Sequence, residues 1–226
     1  MAQARVALVM AHADAATGDP RYAGAALAAL GALTVEVDRG GALSLVTTRE
    51  GQEPLPWYVE RAHPGEDAWT GGALNGFMVT LLNLRGAGAL LDRAPDPSPQ
   101  RATAARLARD LADRGAATLE RHLADHDTGA WSLYGLLTPG RPWRSYLADL
   151  NYHCYHVRLL TQLAAPYPTA GFAGTAARWQ AYVDDAGAVC APRAGDDDGP
   201  DVEMSRPASS PPRRAGHDGP ETGGDG

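Results

Sequence analysis

The chain has 226 residues, enough for one domain with a proper hydrophobic core and a tail. All 20 of its basic residues are arginine, and 27 acidic ones outnumber them, for a formal net charge of −7. That balance lacks the basic surface needed for generic binding to nucleic acid or anionic membranes, although residues 191–226 alone hold eight acids against four arginines.

Residues 1–16 follow a helical pattern with no N-cap or leading loop, so the chain is expected to begin in mid-domain. Thr17-Gly18-Asp19-Pro20 stops that helix, a second alanine-leucine helix covers 21–34, and the two make an αα-hairpin. After Arg39-Gly40-Gly41, residues 42–47 read as a short strand. The proline-rich loop Glu53-Pro54-Leu55-Pro56 leads to Trp57-Tyr58-Val59-Glu60-Arg61, and a glycine-rich stretch runs on to Asn75. A third helix starts at Asn75 with leucines at 81, 82, 84, 90 and 91 facing the core, and the prolines of 95–99 break it. Residues 101–124 give the clearest amphipathic helix, with Ala105, Leu107, Leu111 and Leu119 inside and Arg106, Arg109, Asp110 and Asp113 outside. His122 and His126 at its end suit the helix dipole and need no further role.

Asp127-Thr128-Gly129 reads as a turn into a short aromatic strand, 130–136, and a loop with Arg141, Trp143, Arg144 and Tyr146 follows. Leu150 to Leu163 is a helix in which Val157, Leu159, Leu160 and Leu163 bury one side. Tyr152 and His156 lie four apart, and His153 and His156 three apart, so titratable side chains share a face of its first turns. A last helix covers 172–185. From 186 the composition turns to Gly, Pro, Ser and Asp without apolar periodicity, and 186–226 is expected to be disordered. The fold class expected is all-α: a partial α/α-barrel, or toroid, over 1–185 with short β-hairpin inserts, then the tail.

Cys154 and Cys190 make no disulfide framework and no zinc spacing, and are read as free thiols. His153-Cys154-x-His156 on one helix lacks a fourth, distant ligand, so no metal site is assigned. No membrane-spanning run and no signal peptide stand out, which places the chain as it stands in the cytoplasm unless a preceding segment carries a signal.

Leu74-Asn75-Gly76-Phe77-Met78, Asp127-Thr128-Gly129 leading to Leu133-Tyr134, and Asn151-Tyr152-His153-Cys154-Tyr155-His156-Val157 together resemble, in order and spacing, the C-terminal domain of D-glucuronyl 5-epimerase. Arg178-Trp179-Gln180-Ala181-Tyr182 is similar to that family's closing helix. The resemblance implies an α/α-barrel, an isomerase that inverts carbon five of glucuronate within a heparosan-like polysaccharide, no organic cofactor, and a homodimer. By motif, the catalytic tyrosines fall on Tyr134 and Tyr152 and a catalytic glutamate on Glu60. The sequence departs from the family at Arg61, around Leu137, and at Asn151. The region also matches only the later part of the family's length, consistent with an N-terminally truncated chain.

The chemistry can be weighed from the residues themselves. Inverting a carbon beside a carboxylate needs one group to take the proton from one face and another to return it to the opposite face. Tyrosine, with a free pKa of about 10, needs neighbouring cations for this. Arg61, Arg141, Arg144, His153 and His156 are the candidates, and together with Asn75 they form the expected substrate-binding set. Trp57, Trp131, Trp143 and Tyr146 are candidate sugar platforms. Two other readings stay open: a non-catalytic polysaccharide-binding remnant, and a glycosidase using Glu60 with Asp127, which requires the two carboxylates within about 10 Å.

Overall fold

The computed structural model describes residues 1–47, 53–60, 62, 73–93, 98–135 and 147–191. Six helices carry most of it: α1 (Ala2–Thr17), α2 (Pro20–Gly31), α3 (Leu74–Arg93), α4 (Pro99–His122), α5 (Leu150–Ala164) and α6 (Phe172–Asp185). Two short strands, β1 (Leu43–Val46) and β2 (Leu55–Tyr58), pair antiparallel with Leu43 opposite Tyr58. The chain divides into two units, Met1–Cys190 and Ala191–Gly226, and all that follows concerns the first.

The helices start and stop where local chemistry directs. Gly18 closes α1 in the left-handed region (φ 70°), where a side chain would be strained, and Asp19 then caps α2 by accepting from the Arg21 N–H, with Pro20 in the first turn. Ser98 and Asp149 cap α4 and α5 in the same way. Helices α1, α2, α4 and α3 pack in a closed cycle, each against two others, while α5 packs on α3 and α6 on α5. The shared core is rich in alanine, with Ala4, Ala7 and Ala11 of α1, Ala23 and Ala26 of α2, and Ala104 and Ala108 of α4 all sealed from solvent. Such small side chains let helix backbones approach closely. Gly115 of α4 is the tightest instance: a Cβ there would lie 2.4 Å from a methyl of Leu81 and 3.0 Å from the Tyr58 ring.

One ion pair runs through this core. The Arg101 guanidinium of α4 grips the Asp14 carboxylate of α1 through Nε to Oδ2 (2.7 Å) and NH2 to Oδ1 (2.8 Å). Among the described residues α3 alone has the length and apolar character of a membrane span; over half of it is packed inside the fold.

Two expectations are corrected. Cys154 and Cys190 are not free thiols: they form a disulfide that ties the segment after α6 back to α5. Residues 130–135 form no strand either; besides the local bridge of Asp127 with Ser132, they touch two separate segments through the single bridges Leu133 with Leu147 and Ala73 with Gly135. A bridge closing 36 residues contributes about 2–4 kcal/mol through the unfolded chain. Cys190→Ala, or dithiothreitol on the native chain, is therefore expected to lower the urea midpoint by that equivalent. An unchanged midpoint would show the bridge to be energetically idle.

Candidate active site

The first turn of α3 gathers the candidates from either side. Leu74 donates its N–H to the Tyr134 carbonyl (2.9 Å), which fixes the 127–135 segment to the head of α3. On the other flank, Glu60 lies just past β2 with its carboxylate against Gly76, where a Cβ would stand 3.1 Å from Glu60 Oε2. Glycine at 76 is thus what admits the Glu60 side chain. Beside it, the buried Asn75 Oδ1 has no hydrogen-bond partner among the described residues. The Met1 amine donates to the Val59 carbonyl (3.2 Å); burial lowers its pKa, with the nearby Glu60 charge opposing.

Tyr134 and Tyr152 meet. Their rings contact edge-on, with centroids 4.7 Å apart and planes at 75°. Tyr134 is half-buried and Tyr152, on the first turn of α5, is 40% exposed, so the pair opens to solvent.

Behind the pair stands a frame of polar groups that the sequence did not reveal. Ser132, fully buried, sits between two histidines: its Oγ lies 2.8 Å from His153 Nδ1 and 2.9 Å from His156 Nδ1. The Ser132 N–H also donates to His153 Nδ1 (3.1 Å), while His153 Nε2 faces the Trp179 carbonyl at 2.9 Å. A carbonyl only accepts, so Nε2 carries the proton and Nδ1 receives. His153 is therefore a neutral Nε2–H tautomer, in keeping with a pKa that burial lowers against the pull of the Trp179 backbone and Asp127. Nitrogen-15 shifts should report that tautomer for as long as the fold persists; a protonated Nδ1 at neutral pH would contradict the arrangement.

Asp127 holds the frame together. Its Oδ1 accepts from the Gly129 N–H (2.9 Å) and the Tyr182 hydroxyl (3.1 Å), and its Oδ2 from Trp179 Nε1 (2.9 Å) and Arg178 Nε (2.9 Å). Partial burial pushes its pKa up, but these hydrogen bonds outweigh that and hold the carboxyl below its ordinary value. The Asp-Thr-Gly and Arg-Trp-x-x-Tyr motifs are thus two halves of one contact. Trp131 stacks on His153 (3.9 Å) and donates Nε1 to the Ala148 carbonyl (2.7 Å), which closes the frame over the start of α5.

His153 and His156, expected among the substrate-binding residues, are sealed from solvent and packed against Trp179. Trp57 is a core residue stacked on Phe77 at 3.8 Å, not a sugar platform. Arg61, Arg141, Arg144, Trp143 and Tyr146 lie outside the described residues. His126, read as a helix-end histidine, is wholly buried, and neither ring nitrogen makes a hydrogen bond of good geometry among the described residues, although the Leu133 backbone pulls on the ring. No local signal in the sequence marks it, because its partners come from β2 and α5.

The buried imidazoles impose a pH dependence. Burial lowers His126 from 6.5 to about 4, against opposing pulls from the Leu133 backbone and Asp125. Burial, then His126 and His153, lowers His156 to about 3. Above pH 6.5 neither folded nor unfolded chain protonates them. Below it the unfolded chain binds protons that the fold refuses, so stability falls from pH 6.5 towards 4 and 3 by up to about 1.4 kcal/mol per pH unit for each ring. Urea midpoints should drop between pH 6.5 and 5, before most carboxylates titrate; a flat response there would contradict the burial.

A search of curated proteins returns no match to this chain. The family model described as D-glucuronyl C5-epimerase C-terminus matches residues 1–181. That span takes in all six helices except the last four residues of α6, together with both tyrosines and the Asp127 frame apart from Tyr182, and the chain belongs to the D-glucuronyl C5-epimerase C-terminus family.

Proposed function

We propose that the chain carries the machinery for inverting C5 of D-glucuronate residues to L-iduronate in a heparosan-like polysaccharide, with Tyr134 and Tyr152 moving the proton. The observation that carries this reading is the meeting of the two phenols at a solvent-facing edge, supplied by different segments and braced from behind. One phenolate takes the C5 proton, the electron pair passes into the adjacent carboxylate, and the other phenol returns a proton to the opposite face. The rings touch, so no pyranose lies between them as they stand. Tyr152, exposed on a first helical turn, is the ring with room to swing about χ1 and admit the sugar.

The second negative charge that builds on the substrate carboxylate needs a fixed cation or donor nearby. Arg61, Arg141 and Arg144 take that role in this reading, with Asn75 as a hydrogen-bonding neighbour, Glu60 as a third acid–base group, and His153 and His156 as supports that position the tyrosines. The α/α helix pairs are read as part of a larger α/α-barrel. A glycosidase is disfavoured because Asp127, the second carboxylate it needs, is committed to Gly129, Trp179, Arg178 and Tyr182.

Proton NMR of heparosan incubated with the protein tests the reading. Appearance of iduronate anomeric signals is expected; binding of heparosan with no iduronate formed would leave a polysaccharide-binding module instead.

A further inference from the structure

Four buried polar atoms make no hydrogen bond of good geometry among the described residues: Trp57 Nε1, His156 Nε2 and the two ring nitrogens of His126, a ring on which the Leu133 backbone still pulls. Trp57, His126 and His156 are each 1% exposed or less. The Trp57 and His126 rings lie nearly parallel, centroids 6.2 Å apart with planes at 17°; the Leu133 N–H donates to the His126 carbonyl (2.8 Å) and the adjacent Ser132 Oγ lies 2.9 Å from His156 Nδ1, so one short segment joins the two histidines. Buried polar groups in native proteins are almost always paired, and several orphans in one neighbourhood call for a missing partner.

From this juxtaposition we infer that Trp57, His126 and His156 enclose a site for ordered water. The chemistry of the lining selects the occupant. The indole N–H only donates, neutral His126 offers one donor and one acceptor, and His156 adds Nε2 alone, its Nδ1 being held by Ser132. Such a set has no net charge and mixes both hydrogen-bonding senses. A metal ion would face the positive end of the indole N–H, and no cluster of three or more His, Cys, Asp or Glu ligands occurs among the described residues. An anion would meet imidazole lone pairs. Water matches both senses, and two to four polar partners are what a buried water takes.

An occupied site also completes a chain of exchangeable groups. From the Trp179 carbonyl it runs through His153, Ser132 and His156 to the water and on to His126. It links α6, α5, the segment after Asp127 and the short turn that follows α4. The inference rests on packing and is independent of the epimerase reading, so either can fail without the other.

The test uses the whole protein labelled with nitrogen-15 at tryptophan, the Trp57 indole resonance being the one lost in Trp57→Phe. A water cross-peak to that N–H with the sign of a molecule held for longer than the protein tumbles is expected. A protected indole proton with no water cross-peak overturns the site. Crystallographic density should place a water within about 3.2 Å of Trp57 Nε1 and of a ring nitrogen of His126 or His156. An empty pocket there, or a metal ion in it, also overturns the inference.

Discussion

Tyr152→Phe is expected to cut the rate of C5 inversion by about 10²- to 10⁴-fold, the contribution typical of one positioned acid–base group. The substitution removes one oxygen from a 40% exposed ring and leaves its edge-on contact with Tyr134 in place, so the fold should not change. Tyr134→Phe should act alike. The tyrosines are proposed as opposite-face partners, so the double variant should be little slower than either single one: removing one step already stops the sequence. Rates from iduronate formation, with circular dichroism and urea midpoints as the control for folding, decide this. A Tyr152→Phe protein that is folded and fully active would remove the phenol from the mechanism.

Asp14→Ala should have the largest effect on stability, a loss of about 3–5 kcal/mol. Asp14 is 1% exposed and Arg101 4%, and two short hydrogen bonds join them. Truncating the acid takes two short hydrogen bonds from a guanidinium held in the core, where its desolvation is then poorly offset. Replacing both partners with apolar residues of similar volume, as in Asp14→Leu with Arg101→Met, should cost far less, since a buried pair contributes little beyond its own desolvation. Guanidinium chloride is unsuitable here because its ions screen the pair, so urea melts are the measurement. By contrast Arg39→Ala, which breaks an exposed pair with Glu36, should shift the midpoint hardly at all. Equal effects from Asp14→Ala and Arg39→Ala would mean that the core pair is hydrated.

Helices were legible because their signals are local. Ala4, Ala7, Leu8 and Ala11 repeat on one face of α1, and Gly18-Asp19-Pro20 carries a C-cap glycine, an N-cap acid and a first-turn proline in succession. The inner face of α5 likewise follows from Val157, Leu159, Leu160 and Leu163, all buried as their spacing requires. The tyrosine pair could be anticipated only through resemblance, since nothing in the residues near 134 states that their chain returns to meet 152.

What stayed hidden depends on contacts between distant positions. Asp14 and Arg101 are 87 residues apart, Cys154 and Cys190 are separated by 36, and each looks ordinary beside its own neighbours. Asp127 looks in sequence like a turn residue or a glycosidase acid; its actual work appears only when Trp179 and Tyr182 arrive 52 and 55 residues later. The stretch after it reads like a strand, yet beyond a local bridge to Asp127 its partners are two unrelated segments, so no ladder forms. His126 becomes notable only because β2 and α5 close over it and leave its nitrogens without a well-formed hydrogen bond among the described residues.

The most direct measurement is the isotope at carbon five when the wild-type protein acts on heparosan in heavy water. Proton transfer between two phenols on opposite faces predicts that iduronate residues formed at early times carry deuterium at C5, while glucuronate not yet converted still carries hydrogen. Iduronate that keeps the original hydrogen, or a folded protein that leaves C5 untouched, would contradict it.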